Sequence, residues 1–205
     1  GWQWVAQFVL IDGKMRGLFT VLFGAGLYLF MERAWSRGAT RWLQARRLAI
    51  LLVFGLIHFF LIWRGDILMY YAMAGLIVLL LLRLAAKTQM MIGVIGYVLG
   101  ALLYAAMIVP LPFVSDTSFG DDARFSEMRD DLERSKQAAL ADDAIVTELK
   151  QAGDYVGLTQ HRLETYTLEP VTNFFLFGLE TLPLVLIGVA IYRFGFFSGA
   201  IDRNS

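Results

Sequence analysis

Four ionisable side chains stand where the sequence is otherwise apolar: His58, Arg64 and Asp66 within GLIHFFLIWRGDILMYYAMAGL (residues 55–76), and Glu180 within NFFLFGLETLPLVL (residues 173–186). An imidazole can take a proton from an acceptor hydroxyl or carry an acyl group transiently. A carboxylate near it can orient the ring, although a carboxylate buried among apolar groups is costly unless a cation compensates it. Counted along helices at about 1.5 Å per residue, His58 lies roughly 9 Å and Glu180 roughly 10 Å inside the same side of an apolar layer. Matching depth makes a shared polar cavity below Asp66 an expectation. The plainer reading makes His58 an interhelical hydrogen-bonding group worth about 1 kcal/mol. Asp66, after Gly65 and before an apolar helix, would then cap that helix. Direct contact between His58 and Asp66 is not expected, because eight helical residues separate them by about 12 Å.

The cations fall into two groups. Lys14, Arg16 and Arg64 gather on the side of His58, where charge-assisted bonds could hold an anionic acceptor such as a sugar acid or a phosphate. Snorkelling toward lipid headgroups is the alternative. Arg41, Arg46 and Arg47 belong to the opposite side, where they could meet the phosphates of coenzyme A or simply set topology. His161 sits in an acidic stretch without a second histidine at ligand spacing, which argues against a metal site.

Helices must position these groups. A membrane-spanning helix needs about 20 mainly apolar residues, and five stretches qualify: 16–31, 48–63, 67–82, 90–109 and 171–192, two of them only with their flanks. Ahead of them Trp2 and Trp4 suit a helix lying at the membrane interface. Gly24 and Gly26, and then Gly93, Gly96 and Gly100, permit close approach between helices. Lys and Arg are retained preferentially in the cytoplasm. Nine of them (Arg33, Arg37, Arg41, Arg46, Arg47, Arg83, Lys87, Arg193, Arg203) mark one side, against Lys14, Arg16 and Arg64 on the other. The first group is therefore expected inside, with the amino end and residues 110–170 outside. An outside amino end without a signal segment implies an earlier membrane helix.

Pro110 and Pro112 stop the fourth helix, and residues 110–170 hold 13 acids against 6 bases. Phe125, Met128 and Leu132, then Ile145 and Leu149, recur at helical spacing. Two or three short helices forming an extracytoplasmic cap are expected, broken near Gly153; a solvated acidic linker is the alternative. Composition agrees with a membrane bundle, since only 18% of the residues are charged, against about 25% in soluble domains. The net charge is zero and the chain has no cysteine, so nucleic acid is not an expected partner, and disulfides, thiolate metal sites and cysteine nucleophiles are excluded. The expected fold is an all-α polytopic bundle of about five membrane helices with a small helical cap, divided as residues 1–109, 110–170 and 171–205.

The ordered combination GKMRGLFTVLFGAGLYLF (residues 13–30), RRL (46–48), the Gly-x-x-His of residues 55–58 and the Gly-Asp-Ile-Leu of residues 65–68 resembles the YeiB-type family of bacterial integral membrane proteins. LIGVAIYRFGFFSG (residues 186–199) extends the match more loosely. The resemblance implies further helices on both sides of this stretch. It also implies a bacterial inner-membrane location and kinship with membrane acyltransferases of the heparan glucosaminide acetyltransferase type. In those, an acyl group passes from a cytoplasmic donor such as acyl-coenzyme A to an acceptor across the membrane, for instance an envelope glycan. His58 would match the catalytic histidine, with Glu180 and Asp66 assisting. Lys14, Arg16, Arg64 and Tyr70 would face the acceptor, and Arg41, Arg46 and Arg47 the donor, with no tightly bound cofactor. Two other functions remain open: a transporter using His58 and Glu180 in a solute or proton path, and a scaffold binding an envelope partner through the acidic cap.

Overall fold

The computed structural model describes residues 13–65, 67–109 and 123–198. The regular elements among them are helical: α1 (Gly13–Trp35), α2 (Arg41–Ile57), α3 (Leu68–Leu81), α4 (Ala86–Ile108), α5 (Ala123–Gln151), α6 (Tyr155–Thr165) and α7 (Glu169–Arg193). A π turn, His58–Ile62, continues α2, and a short 3-10 turn, Phe196–Ser198, follows α7. The chain forms two compact units, Gly1–Ala101 with Leu168–Ser205, and Leu102–Thr167.

In the first unit α7 is the organising helix, packed on α1 and α3, while α3 also packs on α2. Glycines set these contacts. A Cβ at Gly24 of α1 would overlap the Val185 carbonyl of α7, and one at Gly188 of α7 would overlap the Val21 carbonyl of α1. The two helices thus touch backbone to backbone at two reciprocal points, a closeness that only small residues allow. Gly93 and Gly96 of α4 face Pro183, and Gly100 faces the carbonyl of Leu179. That carbonyl is the one from which Pro183 withholds an intrahelical N–H. The glycine stripe of α4 thus accommodates the place where α7 is chemically interrupted, and α7 continues as helix through it.

Four helical stretches are long and apolar enough to cross a membrane: Lys14–Trp35, Arg41–Ile62, Ala86–Ile108 and Glu169–Arg193. They turn large apolar side chains outward, among them Trp42, Phe54, Leu99 and Phe175. Soluble monomers rarely tolerate such continuous apolar exposure, so this unit suggests a membrane protein. The third expected span is shorter than anticipated. α3 has 14 residues, about 21 Å of helix against a hydrocarbon core of about 30 Å. It starts only after the turn that follows Trp63, and eight of its residues, including Met69, Tyr70, Ala72 and Val78, are buried. Protein rather than lipid surrounds most of it. Its N-cap position is Ile67, without a side-chain cap; the expected cap residue Asp66 lies outside the described residues, as do Trp2, Trp4, Pro110, Pro112 and Arg203.

Among the described residues after 122 the second unit carries α5, of 29 residues, and α6, of 11, so the first of the expected two or three short helices is long. Gly153 breaks the chain between them in the left-handed region at φ 68°, where a side chain would be strained. Asp154 then caps α6 by accepting from the Gly157 N–H at 2.8 Å. The expected apolar positions Met128, Leu132 and Ile145 stay exposed, whereas Val146, Leu158 and Tyr166 are buried. Facing of the hairpin is therefore set one residue away from Ile145.

Candidate functional site

Arg16, one turn into α1, reaches Glu180 of α7, its Nη2 lying 2.7 Å from Oε2. One turn further, Thr20 donates its hydroxyl hydrogen to the Arg16 carbonyl at 2.8 Å. Thr20 has a single hydroxyl hydrogen, so in its 2.7 Å contact with the Tyr71 hydroxyl of α3 the tyrosine is the donor. Phe19 and Phe23 both pack on the Tyr71 ring at 5.2 Å. The ion pair is thereby tied to a buried hydroxyl pair that joins α1 and α3. Glu180 also lines a cleft of about 490 Å³ with Lys14, Gly17, Val21, Tyr97 and Leu184. His58 is not among the residues lining that cleft. The cation that Glu180 required is Arg16, a pairing that equal depth could not reveal.

His58 is half-buried and opens the π turn, in which its carbonyl accepts from the Trp63 N–H at 2.8 Å. One turn earlier, Gly55 lies against the Met69 backbone of α3, which holds this end of α2 close to its neighbour. Such single-turn widenings of a helix are frequent at functional sites. Beyond the turn, Arg64 pairs with Glu169 at 3.1 Å, and Asn173 donates to the same oxygen at 3.2 Å. Glu169 opens α7, where a negative charge favours the positive end of the helix dipole. Of the expected acceptor-side residues, Arg16 and Arg64 are thus engaged with carboxylates, Lys14 lines the cleft, and Tyr70 is buried with its ring on Phe177 at 5.2 Å.

At the other end of the bundle Arg47 lies 3.9 Å above the Phe30 ring and donates to Gln44 at 3.4 Å. Arg46 is exposed, and Arg41 is half-buried at the start of α2. A second network there was not anticipated. Gln89 is fully buried; its Nε2 donates to the Leu81 carbonyl at 3.0 Å, and its Oε1 accepts from Arg193 at 2.7 Å. Arg193 also donates to the Leu84 carbonyl. Carbonyls at a helix end have no partner within the helix; here the Leu81 carbonyl takes the Leu84 N–H at 3.1 Å as well as the Gln89 amide, and Arg193 serves the Leu84 carbonyl just beyond α3. Tyr192 donates to Glu32 at 2.8 Å, and a cavity of about 470 Å³ lies among Tyr28, Glu32, Tyr192, Arg193, Gly195 and Phe197. The available signal was a lone amide, Gln89, entering an apolar run.

The second unit has its own polar cluster. Asp142 of α5 bonds His161 of α6 at 2.8 Å and accepts from the Tyr166 hydroxyl. A bond across the hairpin explains His161 structurally, and Glu133 on the exposed face of α5 is held below the ordinary carboxyl range by its bond from Gln137.

Comparisons with known proteins place these features in context. The chain is 47% identical over 90 residues to the "Uncharacterized protein YxaH" of Bacillus subtilis (strain 168), covering 43% of this chain and 22% of that one. It is 38% identical over 111 residues to the "Uncharacterized protein YeiB" of Escherichia coli (strain K12), covering 52% and 27%. A Bacillus acidopullulyticus "Uncharacterized 39.9 kDa protein in amylase 3'region" is 32% identical over 108 residues, covering 52% and 31%. These similarities support the YeiB-type family. The matched segments span less than a third of the length of each relative. No family model matches the chain, and no solved structure matches it.

Proposed function

We propose that the chain is part of a bacterial inner-membrane acyltransferase-like protein, with residues 33–47 cytoplasmic and residues 110–170 extracytoplasmic. The observation that supports this reading is one face of α2. Arg47 and His58 are eleven residues apart, which returns to within about 20° of the same helix face and rises about 16 Å. Leu51 and Phe54 fall on the line between them, Leu51 half-buried and Phe54 exposed. An acyl thioester held by its phosphates near Arg41, Arg46 and Arg47 would lay an extended arm along this apolar track. Its carbonyl would then arrive at His58. The imidazole accepts the proton of an acceptor hydroxyl or amine as that atom bonds to the acyl carbon; the carbon–sulfur bond breaks, and the departing thiolate takes the proton. Lys14 and the cleft beside Glu180 would hold a polar acceptor.

The test is acyl-coenzyme A binding and acyl transfer by the full-length protein in detergent or vesicles, compared with His58→Ala. Binding within about twofold of the parent, with at least a hundredfold loss of turnover, is the expected result for removal of a general base. Unchanged turnover in His58→Ala would overturn the reading, as would the absence of donor binding in the parent protein.

A further inference from the structure

α1 and α2 enclose a second groove, of about 380 Å³, near the Arg193 end of the bundle. Its walls are apolar, formed by Phe23, Leu27, Leu29 and Phe30, and Gly26 lies along it. Arg33 and Arg47 line the same groove together with buried Gln44. Neither arginine has a carboxylate partner among the described residues. Gly26 differs from Gly24, two residues earlier, because a Cβ built on it meets nothing within 4 Å. Among the described residues no helix packs there, so the missing side chain leaves open space rather than a close contact.

From Phe23 to Arg33 is ten residues of α1, about 15 Å, which is half of a hydrocarbon core of about 30 Å. An apolar groove one leaflet deep, closed at its polar end by two guanidinium groups, matches the length of one acyl chain and complements the charge of an anionic headgroup. The geometry points to a binding site for an anionic phospholipid, its acyl chain beside Gly26 and its headgroup phosphate on Arg33 and Arg47. Planar guanidinium groups suit phosphate oxygens, and Gln44, which already accepts a bond from Arg47 at 3.4 Å, steadies one of them. The site shares Arg47 with the proposed donor position, but its apolar part lies on α1 beside Gly26, and a lipid held here fills space between α1 and α2, where the two helices share little direct packing.

The experiment is native mass spectrometry of the full-length protein released from vesicles of equal phosphatidylglycerol and phosphatidylethanolamine. Phosphatidylglycerol is expected to be retained in preference to phosphatidylethanolamine. Each arginine near a membrane surface contributes about fivefold to anionic-lipid binding, so Arg33→Gln with Arg47→Gln should lower retention by roughly thirtyfold. Gly26→Leu fills the groove and should abolish retention without lowering the unfolding midpoint. Equal retention of both lipids, displacement by soluble glycerol phosphate, or full retention in Gly26→Leu would each overturn the assignment. None of these readouts depends on catalytic turnover.

Discussion

Gly24→Ala and Gly26→Ala differ by two positions and should differ sharply in outcome. At Gly24 the new methyl falls on the Val185 carbonyl, and the next nearest atoms are also Val185 backbone. Backbone in the middle of α7 cannot swing aside as a side-chain tip would, so α1 and α7 must part. Restoring ordinary carbon–oxygen contact requires a shift on the order of 1 Å, and a gap of that size forfeits roughly a quarter to a half of the dispersion attraction at the contact. Overpacking of this kind costs about 1–3 kcal/mol. At Gly26 the methyl enters open space, and replacing a mid-helix glycine by alanine should stabilise by about 0.5–1 kcal/mol. Gly188→Ala, which strikes the Val21 carbonyl from the other side, should resemble Gly24→Ala. The double variant should cost less than the sum, because one separation relieves both clashes. Reversible unfolding of the full-length protein in a single detergent would measure all four variants. Gly24→Ala being no less stable than Gly26→Ala would refute the backbone contact.

Two other perturbations address the polar networks. Gln89→Leu keeps the volume but leaves the Leu81 carbonyl and Arg193 without their shared amide; a loss of about 1–3 kcal/mol is expected, read by the same unfolding measurement, and an unchanged midpoint would show the network to be dispensable. Asp142→Ala removes the acceptor of both His161 and Tyr166 and should raise hydrogen exchange throughout α6 by the equivalent of about 1–3 kcal/mol, while Asp142→Asn retains much of the protection.

Helix type and approximate position were legible because twenty-residue apolar runs admit few alternatives, and Gly153 announced its break because glycine alone enters the left-handed region cheaply. The extent of α3 was not. An apolar run looks the same whether it faces lipid or protein, and only the contacts of Met69 and Ala72 show that this helix is surrounded by neighbours. The glycines were rightly read as packing elements in α4 and at Gly24, but Gly26 carries the same letter in open space, since pattern alone does not fix which way a helix faces. Glu180 was found by its oddness among apolar residues. Its partner was missed, because sequence gives depth along each helix and says nothing of azimuth around the bundle: His58 matched Glu180 in depth, but it is Arg16, on a helix packed directly on α7, that meets it.

That distinction bears on how acyl transfer would be arranged. Glu180 and Arg16 are carried by α7 and α1, which meet backbone to backbone at Gly24 and Gly188, so the acceptor-side charges stand on a frame with little freedom to shift. His58 is carried by α2, which packs chiefly on α3, and it sits where the helix widens into a π turn. Register at such a turn is easier to adjust than inside a regular helix, since an i→i+5 turn can relax to i→i+4 by displacing one residue. Under the proposed reading the base, not the acceptor cleft, is the adjustable partner.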